Sequence, residues 1–238
     1  RELKPIRRKM QMIFQDPYAS LSPRMTIYQA VKAPLDIQGD MTEKEKEEII
    51  REILNHVGVS EQHRNKYPHE LSGGQRQRAV IARAMVTNPR FVVCDEPVSA
   101  LDVSVRAQVL NLMKRLQRET NVSYLFISHD LSVVKYLCET IVVMYLGKVV
   151  ERASKKELFA NPMHPYTKAL ISAIPIPDIH EKRNRLILGG DIPSPVNPPA
   201  GCHFHSRCPY AKERCRTEAP ELKDCGNGHY AACHFCHS

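Results

Sequence analysis

FVVCDE, at residues 91–96, decides the fold of this 238-residue chain. Four apolar residues in a row are typical of a parallel strand that is buried on both faces, and the two acids place carboxylates where such a strand ends. Further along, the sequence predicts a helix at 103–120, a strand at 122–128, a helix at 130–138 and a strand at 140–146. Strands and helices in alternation predict an α/β fold with a mostly parallel sheet.

Upstream of this stretch, two capping boxes locate helices. Thr42 and Ser72 are each followed three residues later by Glu or Gln, the pattern in which side chain and backbone cap each other. The helix that begins after Thr42 is expected to end at Gly58. A strand at 9–15 precedes both helices. The sequence therefore predicts a helical subdomain at about residues 26–85.

Downstream of residue 146 the elements become shorter. A hairpin turn leads into a strand at 149–152, and Ser154 caps a short helix. Another helix is expected at about 166–174. The segment 175–199 is rich in proline and has little periodicity, which predicts an extended linker.

The charge and the apolar runs limit the classes of function. The formal net charge of +8 is compatible with nucleic acid, an acidic membrane surface, a nucleotide-phosphate site or a plain solvated surface. The longest apolar runs, at 91–94 and 141–146, are far shorter than the ~20 residues of a membrane-spanning helix. No secretory signal follows Arg1, and because the sequence starts with arginine we expect its true N-terminus to be absent.

Cysteines are concentrated at the end of the chain, where six of the eight follow residue 201. Without a secretory signal, such a group suggests metal or cluster ligation in a reducing compartment. Four of them form a C-x5-C-x6-C-x17-C pattern: Cys202, Cys208, Cys215 and Cys233. Four thiolates can enclose either zinc or an iron–sulfur cluster, and the spacing leaves both open.

Two segments carry the chemistry of phosphate and water. Asp95, at the end of a buried strand, can hold Mg²⁺, and the neighbouring Glu96 can accept a proton from an attacking water. Ser72 places a hydroxyl at a helix N-terminus and is followed by two glycines. Exposed N–H groups and the helix dipole make this an anion site suited to a terminal phosphate.

Three segments in this order, LSGGQ at 71–75, CDEPVSALD at 94–102 and ISHD at 127–130, resemble the ATPase subunit of ABC transporters. The resemblance implies an ABC-type P-loop NTPase core with a helical signature subdomain, which binds ATP and Mg²⁺. It makes Glu96 the general base, His129 the switch histidine that contacts the γ-phosphate, and Gln15 the glutamine that senses Mg²⁺ and the membrane partner. The nucleotide-binding residues it implies are Ser72, Gly73, Gly74, Gln75, Asp95 and Asp102, with Mg²⁺ held by Gln15 and Asp95.

One motif of that family is missing. No G-x-x-x-x-G-K-[ST] loop occurs in the sequence, and this loop neutralises the β- and γ-phosphates. In the family it lies upstream of the residue that Gln15 matches, so we expect an N-terminally truncated sequence. The chain alone is then expected to be inactive as an ATPase, although Ser72–Gln75 can still be offered to the nucleotide of a partner subunit.

The end of the chain resembles a narrower group. HPYTKALISAIP at 164–175 and GCHFHSRCPYA at 201–211 are similar to the C-terminal region of dipeptide and oligopeptide importer ATPases. The resemblance implies a four-iron four-sulfur cluster on the four cysteines of the pattern, with zinc as the alternative. It divides the chain into an ABC ATPase domain at 1–160, which lacks its N-terminal part, and a region at 161–238 with the linker and a small Cys-rich module.

The implied function is an ATPase subunit that energises a membrane importer of di- or oligopeptides. Its partners would be a second ABC ATPase subunit, two transmembrane permease subunits and, indirectly, an extracytoplasmic peptide-binding protein; no nucleic acid is expected. The loop with Tyr18 and the helix near Thr26–Ala33 are expected to face a permease, at the cytoplasmic side of the cell membrane. Three alternatives remain: an importer of nickel or another small solute, a non-hydrolysing regulatory half, and a DNA-processing ABC ATPase with a zinc module.

Overall fold

The computed structural model describes residues 4–175 and 186–236. The chain forms two compact units, residues 1–129 and residues 130–238. These units are defined by contacts within the structure, and the predicted division of the chain into domains at 1–160 and 161–238 stays a prediction. Part of the predicted linker, residues 176–185, lies outside the described residues.

The first unit contains the predicted parallel sheet. Its three strands lie in the order β1-β2-β3, and both pairs are parallel. The central strand, β2, is the buried strand predicted from the stretch FVVCDE, and it ends one residue before Glu96. The strands are β1 Met10–Ile13, β2 Phe91–Asp95 and β3 Ser123–Ile127, and the helices are α1 Lys4–Lys9, α2 Pro17–Ser20, α3 Ile27–Gln38, α4 Glu43–Val57, α5 Glu61–Arg64, α6 Gly73–Met85 and α7 Val103–Thr120.

The helices between β1 and β2 confirm the predicted capping boxes. In α4, Thr42 and Glu45 cap each other, and Gly58 ends the helix in the left-handed conformation with φ of 75°. In α6, Ser72 and Gln75 do the same. Helix α6 packs against β1, α3, α4 and α7, so the signature segment at its start is attached to the sheet through a buried helix.

The second unit has an antiparallel sheet, in the order β4-β5-β7-β6. The hairpin turn predicted after the strand at 140–146 is confirmed, because β4 pairs antiparallel with β5. The strand therefore does not belong to the parallel sheet that the alternation of strands and helices predicted. Leu146 and Gly147 have positive φ and form the tight turn between β4 and β5. Because this turn is so short, β4 pairs with the next strand in the sequence. The elements are α8 Leu131–Leu137, β4 Thr140–Tyr145, β5 Lys148–Ser154, α9 Lys155–Ala160, α10 Pro165–Ser172, α11 Glu213–Thr217, β6 Lys223–Asp224 and β7 Tyr230–Ala231.

Phe204 is the centre of the second unit's core, with 1% of its surface exposed. Its ring makes an edge contact with Tyr145 of β4 at a centroid distance of 5.2 Å and a tilted contact with Tyr166 of α10 at 5.4 Å. The apolar residues of β4 and β5 pack around it. The cysteine-bearing segment is therefore anchored to this sheet by one buried aromatic side chain.

In the part of the chain that the structure describes, no helix has both the length and the apolar character that crossing a bilayer requires.

Candidate functional site

Three of the predicted site residues meet at the carboxyl end of the parallel sheet. The Nε2 group of Gln15 donates to Glu96 Oε2 at 2.9 Å, and His129 Nδ1 lies 2.8 Å from Glu96 Oε1. Because an ionised carboxylate can only accept, Nδ1 of His129 carries the proton in this arrangement. The Glu96 side chain is 22% exposed and that of His129 is 71% exposed. One carboxylate thus links the ends of three strands and still faces solvent.

The backbone of Glu96 lies in the left-handed region, with φ of 44°. A non-glycine residue in this region is strained by about 1–3 kcal/mol. Its N–H donates to the carbonyl of Ile127 at 3.0 Å, and its own carbonyl accepts from the N–H and the hydroxyl of Ser99. These bonds hold the strained residue in place at the end of β2, so the direction of its side chain is set by the backbone.

Gln15 reaches Glu96 because of the way β1 ends. Asp16 caps a short helix, α2, by accepting from the N–H of Tyr18 at 2.8 Å. The sequence analysis predicted a loop after Asp16, and the structure has the short helix α2 there instead. The helix forms because aspartate at the cap position and proline at the first helical position both favour a helix start.

The signature residues form the N-terminus of α6. The Ser72 hydroxyl accepts from the N–H of Gln75 at 3.3 Å, and the Gln75 side chain accepts from the N–H of Ser72 at 2.9 Å. Gly74 lies so close to α7 that an added Cβ would be 2.5 Å from Cγ1 of Val105. At Gly73 the nearest atom would be 3.8 Å away. The second glycine is therefore required by packing, whereas a Cβ at the first would make only an ordinary contact.

The other two predicted nucleotide-binding residues, Asp95 and Asp102, lie at the end of a strand and before the start of a helix. Asp95 is the last residue of β2 and is half-buried, in register with Ile127. Asp102 precedes α7, is exposed and makes no side-chain cap hydrogen bond. Gln15 and Asp95 share the same edge of the sheet because Ile13 pairs with Cys94.

The four cysteines of the pattern line one cavity in the second unit, with a volume of about 330 Å³. Burial raises the pKa of Cys202, Cys208 and Cys233, and nearby cysteine side chains raise it further. Lys168 and Lys212 line the same cavity. Among the described residues, no group of three or more His, Cys, Asp or Glu side chains is arranged to hold a metal ion.

Gly201 brings two of these cysteines together. It has φ of 67°, and an added Cβ would lie 2.5 Å from the carbonyl oxygen of Cys215. This close approach allows the N–H of Cys202 to donate to that carbonyl at 2.8 Å. Only glycine fits here without moving the backbone.

Sequence reasoning missed a buried acid in the second unit. Glu151, with 0% of its surface exposed, accepts from the N–H groups of Met163 at 2.7 Å and His164 at 2.9 Å. Its Oε1 also lies 2.7 Å from Nε2 of His229, which is equally buried. No sequence signal marks this pair, because the two residues are 78 positions apart and belong to no motif.

Sequence reasoning also left Cys225 and Cys236 without a role. Burial and a hydrogen bond to the Cys225 side chain raise the pKa of Cys236 to about 11. The sulfur of Cys236 also donates to the carbonyl of Cys233 at 3.1 Å.

Two features together define an ATP-binding cassette. One is a parallel sheet with a cluster of glutamine, glutamate and histidine at its carboxyl end. The other is the capped, glycine-rich start of helix α6, which precedes β2 in the sequence. The comparison with solved structures agrees. The structure of CbiO1 from Clostridium perfringens, part of an ABC transporter complex, matches with a TM-score of 0.60 and 29% identity over 66% of this chain and 61% of that one. The dimeric ATP-binding cassette MJ0796, in a post-hydrolysis state with ADP and Pi, matches with a TM-score of 0.57 and 32% identity over 65% of this chain and 66% of that one.

Sequence comparisons narrow the class to a family. The family model of ABC transporters matches residues 1–99, and the model of the C-terminal region of oligopeptide/dipeptide transporters matches residues 150–215. The oligopeptide transport ATP-binding protein AppF of Bacillus subtilis is 51% identical over 234 residues, which are 98% of this chain and 71% of that protein. The chain belongs to the family of ATP-binding subunits of oligopeptide and dipeptide ABC transporters.

Proposed function

We propose that the chain supplies the catalytic carboxylate and the signature of an ATPase that drives peptide import. The observation that carries the proposal is the hydrogen-bonded cluster of Gln15, Glu96 and His129 at the carboxyl end of the parallel sheet. Ligands of open α/β sheets bind at this edge. Hydrolysis of ATP to ADP and phosphate is the reaction for which the family uses these positions.

Glu96 acts as the general base in this proposal. Each oxygen of its carboxylate accepts one hydrogen bond, from Gln15 or from His129, and each retains capacity to accept another from a water. The base therefore stays oriented while it takes the proton of the attacking water. His129 is exposed enough to turn towards a γ-phosphate, and Gln15 and Asp95 share the sheet edge where Mg²⁺ would be held.

The signature acts on the nucleotide of a partner subunit. Ser72 is exposed, and the first-turn N–H groups of α6 add a positive helix end to its hydroxyl. Together with Gly73, Gly74 and Gln75, and with Asp102 at the start of α7, it forms the surface that we assign to a second ABC ATPase subunit, identical or different. The sequence has no phosphate-binding loop, so we expect the chain alone to hydrolyse no ATP.

The surface beside Gln15 fits the permease contact. A groove of about 460 Å³ in the first unit is lined by apolar side chains that include Phe14, Met25 and Ile37. Tyr18, in the short helix that follows Gln15, is 52% exposed. We assign this surface to one of two transmembrane permease subunits, at the cytoplasmic face of the membrane. The cargo is then a di- or oligopeptide delivered by an extracytoplasmic binding protein.

We also propose that the cysteine-lined cavity holds an iron–sulfur cluster. Four thiols around one cavity are a soft donor set, which suits iron–sulfur clusters or zinc. The resemblance of this segment to the C-terminal region of peptide-importer ATPases favours the cluster over zinc. The 330 Å³ cavity lined by the four cysteines is where it would be held. When bound, such a cluster supplies one-electron redox chemistry or a structural cross-link.

The ATPase proposal is tested in the assembled importer, with permeases and the second ATPase subunit in vesicles. Glu96→Gln should reduce the ATPase rate by about 10²–10⁴-fold, the usual contribution of a general base. Glu119→Gln, the same chemical change at an exposed position at the end of α7, is the matched control and should leave the rate unchanged. Equal rates for both variants, or turnover by the purified chain alone that Glu96→Gln abolishes, would contradict the corresponding part of the proposal.

The cluster proposal is tested by anaerobic iron, sulfide and zinc analysis. About four irons and four sulfides per chain, lost in Cys208→Ser and retained in Cys138→Ser, are the expected result. One zinc in a colourless protein would remove the cluster and leave the ATPase proposal standing.

A further inference from the structure

One side-chain contact of Gln75, the last residue of the signature, leads outside the motif. Its Oε1 accepts from the N–H of Ser72 at 2.9 Å, so the NH₂ group of the amide points the other way. There its Nε2 lies 3.3 Å from Nε2 of His63, a part-buried contact. Because the amide nitrogen can only donate, the imidazole nitrogen must accept and carries no proton. His63 is thus hydrogen-bonded to the signature although it stands 12 positions upstream of Gln75.

The other ring nitrogen of His63 is held by Ser60. Nδ1 lies 2.8 Å from the hydroxyl oxygen of this serine. A neutral imidazole that accepts through Nε2 carries its proton on Nδ1, so His63 donates to Ser60. Ser60 occupies the position before α5 where a serine usually caps the helix, but its hydroxyl makes no cap hydrogen bond. The hydroxyl therefore serves the histidine, and the contacts run from Ser60 through His63 to Gln75.

Helix α5, which carries His63, is fixed in turn by the next residue in the chain. Arg64 pairs with Glu47 of α4 at 2.6 Å, and its side chain is only 18% exposed. Its guanidinium group also lies over the ring of Tyr28 in α3, at 4.8 Å from the ring centroid. An ion pair and a cation–π contact thus attach the short helix to two longer ones. The imidazole of His63 therefore projects towards the signature from a fixed support.

We propose that His63 is a positioning residue of the signature, which holds the start of α6 through Gln75 in the geometry offered to the nucleotide of the partner subunit. The proposal rests on the function proposed above for Ser72–Gln75. Without His63, the Gln75 amide loses one of the two hydrogen bonds that orient it. The cap of α6 then loosens, and the Ser72 hydroxyl and the first N–H groups of the helix lose the fixed arrangement that a phosphate site requires.

Two amide variants separate a role through Gln75 from a role in holding α5 alone. Glutamine ends as many bonds from Cβ as the imidazole Nε2, so His63→Gln can still accept from Gln75, whereas the shorter asparagine matches Nδ1 and reaches only Ser60. In the assembled importer, His63→Gln should keep the ATPase rate. His63→Asn and His63→Ala should lower it about three- to tenfold, the contribution of one neutral hydrogen bond. Equal losses in the two amide variants, or better activity with asparagine, would overturn the proposal.

Two measurements on the full chain need no ATPase activity. Nitrogen-15 NMR at about pH 8, where histidine is ordinarily neutral, should find the proton of His63 on Nδ1. A proton on Nε2 would set two donors against each other and would overturn the proposal. Exchange of the Ser72 amide hydrogen, which Gln75 binds, should be faster in His63→Ala by the same factor as the loss of rate, and unchanged in His63→Gln. The control is His56→Ala, at an exposed histidine of α4, which should alter neither exchange nor rate.

These measurements keep the proposal distinct from the function on which it rests. If Glu96→Gln leaves the ATPase rate of the importer unchanged, the proposed function fails, and the tautomer and the exchange of the Ser72 amide still decide whether His63 holds Gln75. If Glu96→Gln removes the activity but His63→Ala keeps the full rate, the proposed function stands and the positioning role of His63 is refuted.

Discussion

Glu151→Gln should destabilise the second unit strongly although it changes a single atom of the side chain. In the structure the carboxylate accepts three hydrogen bonds from N–H donors: Met163 and His229 at Oε1, and His164 at Oε2. Glutamine has one acceptor oxygen and one donor nitrogen. Whichever way its amide turns, an NH₂ group must face at least one N–H donor in a place without solvent.

The magnitude follows from the number of bonds affected. A hydrogen bond to a charged group contributes about 1.5–3 kcal/mol, and an unsatisfied buried donor costs about 1–3 kcal/mol. Since Glu151 is fully buried, loss of one such bond together with one donor left unsatisfied should lower the free energy of unfolding of this unit by about 3–5 kcal/mol.

The assay must report on the second unit alone, because a chain with two compact units need not unfold in one step. Hydrogen exchange of peptides from β5 and α10, read by mass spectrometry, gives the free energy of opening locally. The slowest amides should exchange about 10² to nearly 10⁴ times faster in the variant, at 1.4 kcal/mol per factor of ten.

Glu157→Gln is the matched control. Its carboxylate lies 3.7 Å from Nδ1 of His229, but its side chain is 31% exposed. Partly solvated pairs contribute about 1 kcal/mol or less, so exchange should rise no more than about tenfold. Equal effects of the two variants, or a change below about 1 kcal/mol in Glu151→Gln, would refute the reasoning that three buried donors depend on this carboxylate.

Two further predictions concern packing and pH. Gly74→Ala should lower the stability of the first unit by about 1–3 kcal/mol, because the new methyl group overlaps Val105. Gly73→Ala, whose methyl group meets only ordinary contact distances, should change the stability by less than about 1 kcal/mol. Thermal unfolding of both variants checks this prediction, and equal losses of stability would contradict it. Burial lowers the pKa of His164 to about 4, against the opposing effect of nearby Glu151. As the pH falls, the unfolded state therefore binds the proton before the folded state does. The second unit loses stability between about pH 6.5 and 4, with a loss of about 2 kcal/mol at pH 5. His164→Asn, which can still cap the N–H of Tyr166, should flatten that pH dependence in hydrogen exchange, and an unchanged slope would rule out His164 as its source.

The sequence predicts the helices of the first unit well because their boundaries depend on local chemistry. Thr42 and Gly58 fix both ends of α4 through hydrogen bonds and a left-handed turn that involve neighbouring residues only. Strand partners are different. The alternation at 140–145 indicates a strand but does not by itself show which strand it pairs with. The hairpin turn predicted after it, which the structure has at Leu146 and Gly147, identifies β5 as the partner.

For the candidate site, too, the sequence predicts which residues belong to a motif but not the contacts between distant segments. The motifs predict that Gln15, Glu96 and His129 belong together, but not that one carboxylate receives hydrogen bonds from both of the others. Glu151 and His229 could not be predicted at all, because each is unremarkable in its own segment and their meeting depends on the pairing of β5 with β7. Contacts across tens of residues become visible only when the sheet is assembled.

The strained backbone of Glu96 determines what its replacement would measure. The left-handed conformation is held by bonds of the main chain, to Ile127 and Ser99, and none of these involves the carboxylate. Glutamine keeps the same backbone and the same side-chain length, and its amide oxygen can still accept from His129 or Gln15. The side chain therefore keeps its place at the end of β2 in Glu96→Gln, and what is removed is its capacity to take a proton. A loss of ATPase rate with unchanged stability would then report on the chemistry of this carboxylate and not on its position.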